Sequence, residues 1–156
     1  FDSIYGDCGN GTAQRHLVDV AWLPRHDGGR IKVTAINGVA ARLAAISTEL
    51  EQLPADRIKF LVPPAGGFNR RQIAGSAQKS PHAWGIAVDI AIANAHYWQW
   101  SKPGNGRHFW RNAIPMDIVR VFERHGFIWG GRWDHFDTMH FEFRPELLAP
   151  IAPLAR

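Results

Sequence analysis

The chain has 156 residues, of which 46% are hydrophobic and 21% are charged. These values are typical of one folded domain and exclude wholesale disorder or a fibrous repeat. The formal net charge of +4 favours proximity to anionic polymers. Because the sequence has no block of basic residues and no RNA-binding signature, we expect no nucleic-acid partner.

The cysteine content and the hydropathy pattern narrow the class of protein further. Cys8 is the single cysteine, which excludes an internal disulfide and a cysteine-based zinc site. No apolar run approaches the roughly 20 residues of a membrane span. The chain begins with Phe1 rather than Met, from which we expect a processed N-terminus whose signal peptide has been removed.

The first half of the chain predicts few regular elements. In chain order they are an irregular arm over residues 1–30 that includes one strand, a half-buried strand over 30–35, a helix from Val39 that ends at Pro54 and has Asn37 as its cap, a short strand over 60–62, and a polar loop over 65–80. The helix prediction follows from apolar residues spaced three and four apart.

The second half predicts the elements that carry most of the ionisable residues. They are a strand within residues 84–92, a long aromatic loop over 94–113, a helix opened by Pro115 with Gly126 as its left-handed cap, a strand over 127–129, a turn at 130–131 and a last strand over 139–143. We therefore predict an α+β fold, a single domain over residues 1–156 with a small, mostly antiparallel sheet flanked by helices. Residues 1–15 form its N-terminal arm and residues 148–156 its C-terminal tail.

Asp89 lies in an otherwise apolar strand. A buried ionised carboxylate costs several kcal/mol unless a cation or hydrogen-bond donors meet it. Asp89 is therefore either a structural residue, hydrogen-bonded to backbone or to an arginine, or part of a functional site. His82, seven residues earlier across a turn at Gly85, favours the functional interpretation.

The last strand carries the second group of candidates. Its alternation places His140 and Glu142 on one face, and Phe141 and Phe143 in the core. Asp137 precedes the strand and is expected to face the same space. A lone histidine on such a strand is more often structural, but here two histidines and two carboxylates converge from separate segments.

Two imidazoles and one carboxylate, with a fourth position left for water, form an open zinc site of the catalytic type. Such an ion lowers the pKa of its water to about 7 and polarises a carbonyl. A carboxylate outside the ligand set must then move the proton, and Asp137 is the candidate. Arg71 in the polar loop is a candidate for stabilising the oxyanion. Ligands of this type also accept Co, Mn or Cu.

Three motifs carry a resemblance to a known family. The motifs Ser80-x-His82, Gly85-x-Ala87-x-Asp89 and Asp137-x-x-His140-Phe141-Glu142 resemble the signatures of the zinc D-alanyl-D-alanine carboxypeptidases, D,D-dipeptidases and L-alanyl-D-glutamate endopeptidases that act on bacterial cell-wall peptides. The resemblance covers roughly residues 15–147 and includes segments 67–71, 97–100, 126–133 and 143–146. It implies the fold shared with the hedgehog domain, with a zinc site on the sheet face.

The resemblance also implies roles for single residues. One zinc ion per chain would be held by His82, Asp89 and His140. Asp137 stands at the position of the general base, where many relatives have the longer Glu. Glu142 is expected to orient a ligand or an arginine from behind.

The same resemblance implies a set of substrate contacts. An arginine upstream of the first motif contacts the scissile carbonyl in the family, and the local pattern favours Arg71 over Arg70. Ser80 matches a position that helps to hold substrate, although a turn residue before Pro81 is an equal alternative. We expect Arg70 and Trp84 to contribute to substrate binding.

The expected activity is hydrolysis of an amide bond in peptidoglycan stem peptides, first of all as a D-alanyl-D-alanine carboxypeptidase. An L-alanyl-D-glutamate endopeptidase is the alternative within the family, because both share these motifs. Two interpretations of other classes are a non-catalytic zinc-binding module and a domain that uses these polar groups only for stability. We expect a monomer without a membrane span that is exported to the periplasm or cell envelope, where its substrate lies.

Overall fold

The computed structural model describes residues 1–101 and 108–148. In these residues it has two small antiparallel sheets and few helices, in agreement with the predicted α+β class. The strands are β1 (Leu17–Ala21), β2 (Arg30–Thr34), β3 (Ala87–Asp89), β4 (Phe127–Trp129) and β5 (His140–Phe143). The α-helices are α1 (Asp2–Tyr5), α2 (Val39–Leu50), α3 (Met116–Arg124) and α4 (Pro145–Leu148). Residues 149–156 of the predicted tail and 102–107 of the predicted aromatic loop lie outside the described ranges.

The three-stranded sheet positions the candidate residues. Strand β5 lies in its centre and pairs antiparallel with β3 on one side and β4 on the other. The register places Asp89 opposite His140, and Ala87 opposite Glu142. Since side chains alternate across a strand, His140 and Glu142 share one face. That face carries the ionisable residues, and the other packs on the core.

The core lies between this sheet and helices α2 and α3. Phe122 of α3 stacks on Phe141 of β5, with ring centroids 3.9 Å apart. Helix α2 buries Leu43, Ile46 and Leu50. Burial of a large apolar side chain contributes about 1.5–3 kcal/mol, so this packing holds β5 firmly in place. The other strands and helices are arranged around this layer.

Two local predictions are wrong. Asn37 does not cap helix α2, because it adopts a left-handed φ of 54° within the 3₁₀ turn Ile36–Gly38, and Gly38 takes the cap position without a side-chain bond. Residues 60–62 are not a strand, because Ala55–Phe60 forms a 3₁₀ helix. The Leu61 carbonyl there accepts a hydrogen bond from the Trp22 indole at 3.0 Å rather than from a neighbouring strand.

Gly126 confirms the predicted end of α3, since it follows the helix with a φ of 86°. The N-terminal arm is more ordered than expected, because it contains α1 and a 3₁₀ turn, Ala13–His16, and buries Tyr5, Cys8 and Ala13. Among the described residues, no helix has the length and apolar character needed to cross a membrane.

Candidate metal centre

Three side chains bring potential metal donors together. One ligand atom each from His82, Asp89 and His140 lie within 4.8 Å of one another. His82 Nε2 is 3.2 Å from the Asp89 carboxylate, and His140 Nδ1 is 3.0 Å from it. The two imidazole nitrogens are themselves 3.1 Å apart. These are the three residues that the family resemblance implies as ligands.

The second nitrogen of each imidazole is held from behind. His82 Nδ1 lies 2.6 Å from the Gly67 carbonyl oxygen, and His140 Nε2 lies 3.1 Å from the Glu142 carboxylate. Because both partners accept a hydrogen bond, the proton of each neutral ring belongs on that outer nitrogen. In the neutral, metal-binding form of each ring, the inner nitrogens, His82 Nε2 and His140 Nδ1, would therefore carry the lone pairs that bind the metal.

The register of the β3–β5 ladder positions Asp89 and His140, whereas close packing of a loop positions His82. Asp89 and His140 are partners in the β3–β5 ladder. His82 lies in the 3₁₀ turn Pro81–Trp84, which Gly85 ends with a φ of 70°. A Cβ at Gly67 would collide with the Lys32 carbonyl of β2. Only glycine therefore lets this loop approach β2 closely enough for its carbonyl to reach His82.

The negative charge of the carboxylates in the centre favours a bound cation or proton. Burial disfavours the charged form of Asp89, but hydrogen bonds from His140 and His82 outweigh it and lower the pKa of this carboxyl well below its usual range. Burial likewise opposes a charged His140, yet its bonds to Asp89 and Glu142 raise its pKa to about 10. A buried imidazole between two carboxylates thus needs either a proton or a metal ion beside it.

Glu142 has a second partner outside the centre. Its other oxygen is 3.0 Å from Nη1 of Arg144, which also contacts the exposed Glu146. This ion pair balances part of the buried negative charge and fixes the carboxylate that holds His140. Glu142 is therefore positioned to orient the His140 ring.

Asp137 differs from the other carboxylates of the centre because one of its oxygens is buried without a partner, while the other side of the carboxyl receives the Met139 backbone N–H. Its Oδ1 is buried and has no hydrogen bond within residues 1–101 and 108–148. Burial, opposed by the nearby His140 and reinforced by Asp89, raises the pKa of Asp137 to about 6. Its backbone N–H donates to the Gly130 carbonyl at 3.0 Å. A carboxyl group whose pKa is near neutral, close to the three potential metal ligands, has the properties that a general acid–base residue requires.

The two candidate arginines face different partners. Arg70 donates to the Gly9 carbonyl at 2.7 Å and so binds the N-terminal arm. Arg71 is exposed, and its charge acts on Tyr97, whose pKa is raised by burial and by Asp137 and lowered in part by Arg71. Tyr97 therefore lies near both Arg71 and Asp137.

Ser80 and Trp84 flank the loop that carries His82. Ser80 is buried, and its backbone N–H donates to the Arg71 carbonyl at 3.0 Å. Trp84 is also buried, and its indole donates to Asp2 at 2.8 Å and packs edge-on against Phe1. The structure thus places Trp84 against the N-terminal helix α1.

Two features of the site were not found from the sequence. The first is the attachment of the loop to the arm through Asp2, Lys79 and Trp84, for which the sequence gives no signal. Asp2, Asp7 and Cys8 also have ligand atoms close together, but Lys79 Nζ lies 3.1 Å from Asp2 and 3.6 Å from Asp7 and supplies the countercharge. The second is a cleft lined by residues of segments 96–101 and 109–111, among them three aromatic side chains, and the only signal for it is the aromatic residues in that part of the sequence.

Comparison with known families confirms the resemblance that the motifs suggested. Residues 74–143, a little under half of the chain, match the model of a family described as D-alanyl-D-alanine carboxypeptidase. The matched segment contains His82, Asp89, Asp137 and His140, whereas Arg71 lies just before it. No curated protein gave a significant match. The segment that carries the clustered donors is therefore similar to the D-alanyl-D-alanine carboxypeptidases.

Proposed function

We propose that the protein is a zinc peptidase that hydrolyses an amide bond of peptidoglycan stem peptides, in the first place the terminal D-alanyl-D-alanine bond. One observation carries the proposal. The donors of the buried His82 and His140 and of the partly buried Asp89 converge near Asp137, inside the segment that matches a carboxypeptidase family. The Oδ1 of Asp137 is buried without a hydrogen bond in the described residues, and a purely structural cluster would not leave this oxygen without a donor.

The donors fit a zinc ion. Two imidazole nitrogens and one carboxylate are a common ligand set for catalytic zinc, and their outer hydrogen bonds leave the inner lone pairs available. Held by His82, Asp89 and His140, the ion would supply Lewis acidity, which polarises the scissile carbonyl and makes water a better acid. We expect one ion per chain.

The side chains around the three metal ligands have separate roles in the proposed reaction. Asp137 accepts a proton from the attacking water and passes it to the leaving amine, and its raised pKa suits both transfers near neutral pH. Arg71 donates hydrogen bonds to the oxyanion that develops on the carbonyl. Glu142 keeps the His140 ring in orientation through the bond to Nε2. We also propose that Ser80 and Arg70 help to shape the substrate side of the loop.

The proposed cellular location of the protein follows from the location of its substrate. Because stem peptides lie outside the cytoplasm, we propose that the protein acts in the periplasm or cell envelope. Its net charge of +4 favours binding to an anionic wall. We further propose that it acts as a monomer, since the donors and Asp137 all come from one chain.

The test uses purified protein, metal analysis and cell-wall sacculi. Zinc-loaded protein, chelator-treated protein and protein reloaded with zinc are incubated with sacculi, and the products are identified by mass spectrometry. Release of terminal alanine that depends on zinc supports the proposal. Cleavage between L-alanine and D-glutamate would instead identify an endopeptidase. One zinc per chain without cleavage of any stem peptide would indicate a non-catalytic zinc module and overturn the proposal.

A further inference from the structure

A second binding feature lies beside the metal centre. A cleft of about 310 Å³, which we call the aromatic cleft, is lined by His96, Tyr97, Trp100, Ser101, Phe109 and Arg111. Phe109 is 63% exposed and Trp100 58% exposed, and with the neighbouring Trp110 at 57% they are the three most exposed large apolar side chains in the described part of the chain. Exposed aromatic side chains that lie close together are typical of a surface that binds a ligand or a partner.

Several contacts hold the aromatic cleft in shape. The rings of Tyr97 and Trp100 meet edge to face with centroids 5.7 Å apart. The Trp98 backbone donates to the Phe136 carbonyl at 2.9 Å, and the Trp110 indole donates to the Gly131 carbonyl at 2.9 Å. The rings therefore form a preformed surface, which binds at a lower entropic cost than a mobile one.

The aromatic cleft is continuous with the proposed catalytic residues. Tyr97 pairs with Asp137 in an antiparallel bridge. The neighbouring His96 exchanges hydrogen bonds with Thr138, its N–H donating to the hydroxyl at 2.7 Å and its carbonyl accepting from the Thr138 N–H at 2.9 Å. One wall of the cleft is thus fixed directly to residues 137 and 138. The cleft therefore adjoins the segment that carries Asp137.

We propose that the aromatic cleft binds the glycan strand to which the stem peptide is attached, with a sugar ring stacked on Trp100 or Phe109. The inference rests on the proposed function, because it assumes a peptidoglycan substrate. A pyranose ring has a flat face of C–H groups that packs against an aromatic face, and a rim of hydroxyl and acetamido groups that form hydrogen bonds. The polar lining residues His96, Ser101 and Arg111 provide such partners.

The composition of the aromatic cleft favours sugar over peptide. Among the described residues that line it, none is acidic and three of the six are aromatic. A stem peptide rich in alanine calls for small apolar pockets rather than broad exposed rings, although Arg111 offers a cation for its carboxylates. The glycan is neutral and ring-shaped. It lies directly beyond the alanine of an L-alanyl-D-glutamate bond, whereas four extended stem residues, about 13–14 Å, separate it from a terminal D-alanyl-D-alanine bond.

The test measures binding of sugar probes to the purified protein as isolated, and because the probes carry no stem peptide, no turnover accompanies binding. Tryptophan fluorescence and calorimetry would follow titration with tetra-N-acetylglucosamine and with peptide-free glycan strands. We expect wild type to bind both. Trp100→Ala should weaken binding about three- to tenfold, as for loss of one ring contact, and Trp100→Phe should restore most of it. The matched control is Val18→Ala, which removes an exposed apolar side chain of β1 and should bind as wild type does.

The outcomes separate this inference from the proposed function. Absence of sugar binding by wild type, or equal binding by wild type and Trp100→Ala, overturns the inference even if the protein cleaves stem peptides. Weaker binding of a free stem peptide by Trp100→Ala, with sugar binding unaltered, would make the aromatic cleft a peptide site and also overturn it. Sugar binding that depends on Trp100, in a protein without peptidase activity, would support the cleft and refute the proposed function.

Discussion

The two halves of the metal centre are held in place by different forces. In the sheet half, Asp89, His140 and Glu142 lie on β3 and β5, and the ladder fixes their spacing. In the loop half, His82 and Arg71 belong to a segment that regular secondary structure does not hold. That segment is attached to the N-terminal arm by the bonds from Arg70 to Gly9 and from Trp84 to Asp2.

The difference predicts how each half responds to change. Backbone ladders and buried packing act cooperatively, so the sheet half should keep its geometry until the domain unfolds. Exposed ion pairs such as Lys79 with Asp2 contribute little individually, and the loop half should therefore shift more readily. We expect changes in the sheet half to remove metal or turnover, and changes in the loop attachment to alter catalysis only moderately.

The largest effect is expected for His140→Ala. It removes one donor and leaves Asp89 and Glu142 without the imidazole between them, so the purified protein should lose stoichiometric zinc and at least about 10³-fold of its activity. Metal analysis and peptide hydrolysis measure both. His26→Ala, at an exposed histidine, is the matched control and should keep both. A zinc-loaded His140→Ala protein would remove His140 from the ligand set.

Asp137→Asn should separate catalysis from metal binding. We expect zinc to be retained and kcat to fall about 10²–10⁴-fold, because the amide cannot accept the proton. Burial raises the pKa of Asp137 to about 6, so ionisation above that pH opposes folding. In metal-free protein the variant should therefore be more stable by about 1–2 kcal/mol at pH 7.5.

The stability gain of Asp137→Asn has a defined pH dependence. Below about pH 4 the wild-type carboxyl is protonated in both the folded and the unfolded state, so the gain should disappear there. Urea unfolding at pH 4 and pH 7.5 measures it. Asp134→Asn, at a fully exposed side chain, is the control and should change neither stability nor turnover. A gain equal at both pH values would contradict the burial of an ionised Asp137.

Glu142→Gln tests whether the carboxylate that contacts the outer nitrogen of His140 contributes to zinc affinity. The amide still accepts a bond from His140 but loses the charge that favours the metal-bound ring and pairs with Arg144, so zinc affinity should fall about 10–100-fold. Competition with a chelator measures the affinity. Glu146→Gln also removes a charge that pairs with Arg144, but on the exposed side, and should bind zinc as wild type does. Equal losses in the two variants would assign the effect to Arg144 instead.

The proton on His140 predicts a pH dependence of metal affinity. Bonds to Asp89 and Glu142 outweigh burial and raise the pKa of His140 to about 10, so this proton must leave when metal binds at pH 7. The apparent affinity should rise about tenfold per pH unit from pH 7 to 9. Without metal, the stability that this proton contributes is complete below about pH 6.5 and is lost as pH rises toward 10. Calorimetry in two buffers should find about one proton released per metal; none released would contradict this.

The sheet half could be predicted from sequence because its information is local. Alternation from 139 to 143 places His140 and Glu142 on one face, and the strands at 87–89 and 127–129 follow from short apolar runs. A three-residue apolar run does not distinguish a strand from a buried turn, which is why the prediction for residues 60–62 was wrong. Asn37 was mistaken for a cap because its left-handed backbone depends on the turn before the helix.

The loop half could not be predicted to the same degree because its contacts are long-range. The bond between Trp84 and Asp2 joins residues 82 positions apart, and the one between Arg70 and Gly9 joins residues 61 apart. Nothing in the residues near Trp84 indicates that its indole is bound by the arm. The motif identified His82, but the arm that positions its turn is evident only in three dimensions.

Asp2→Ala tests the attachment of the loop half and should have the smallest effect. It removes the acceptor of the Trp84 indole and the partner of Lys79, so the turn that carries His82 should become more mobile. We expect kcat/KM to fall about two- to fivefold, zinc to be retained, and amide hydrogen exchange to accelerate in residues 79–84 but not in β5. Asp2→Asn keeps an acceptor oxygen and should recover most of the loss. Asp19→Ala, an exposed acidic residue of β1, is the control. Faster exchange in β5 as well would show that the two halves are one cooperative unit and that the distinction between them is wrong.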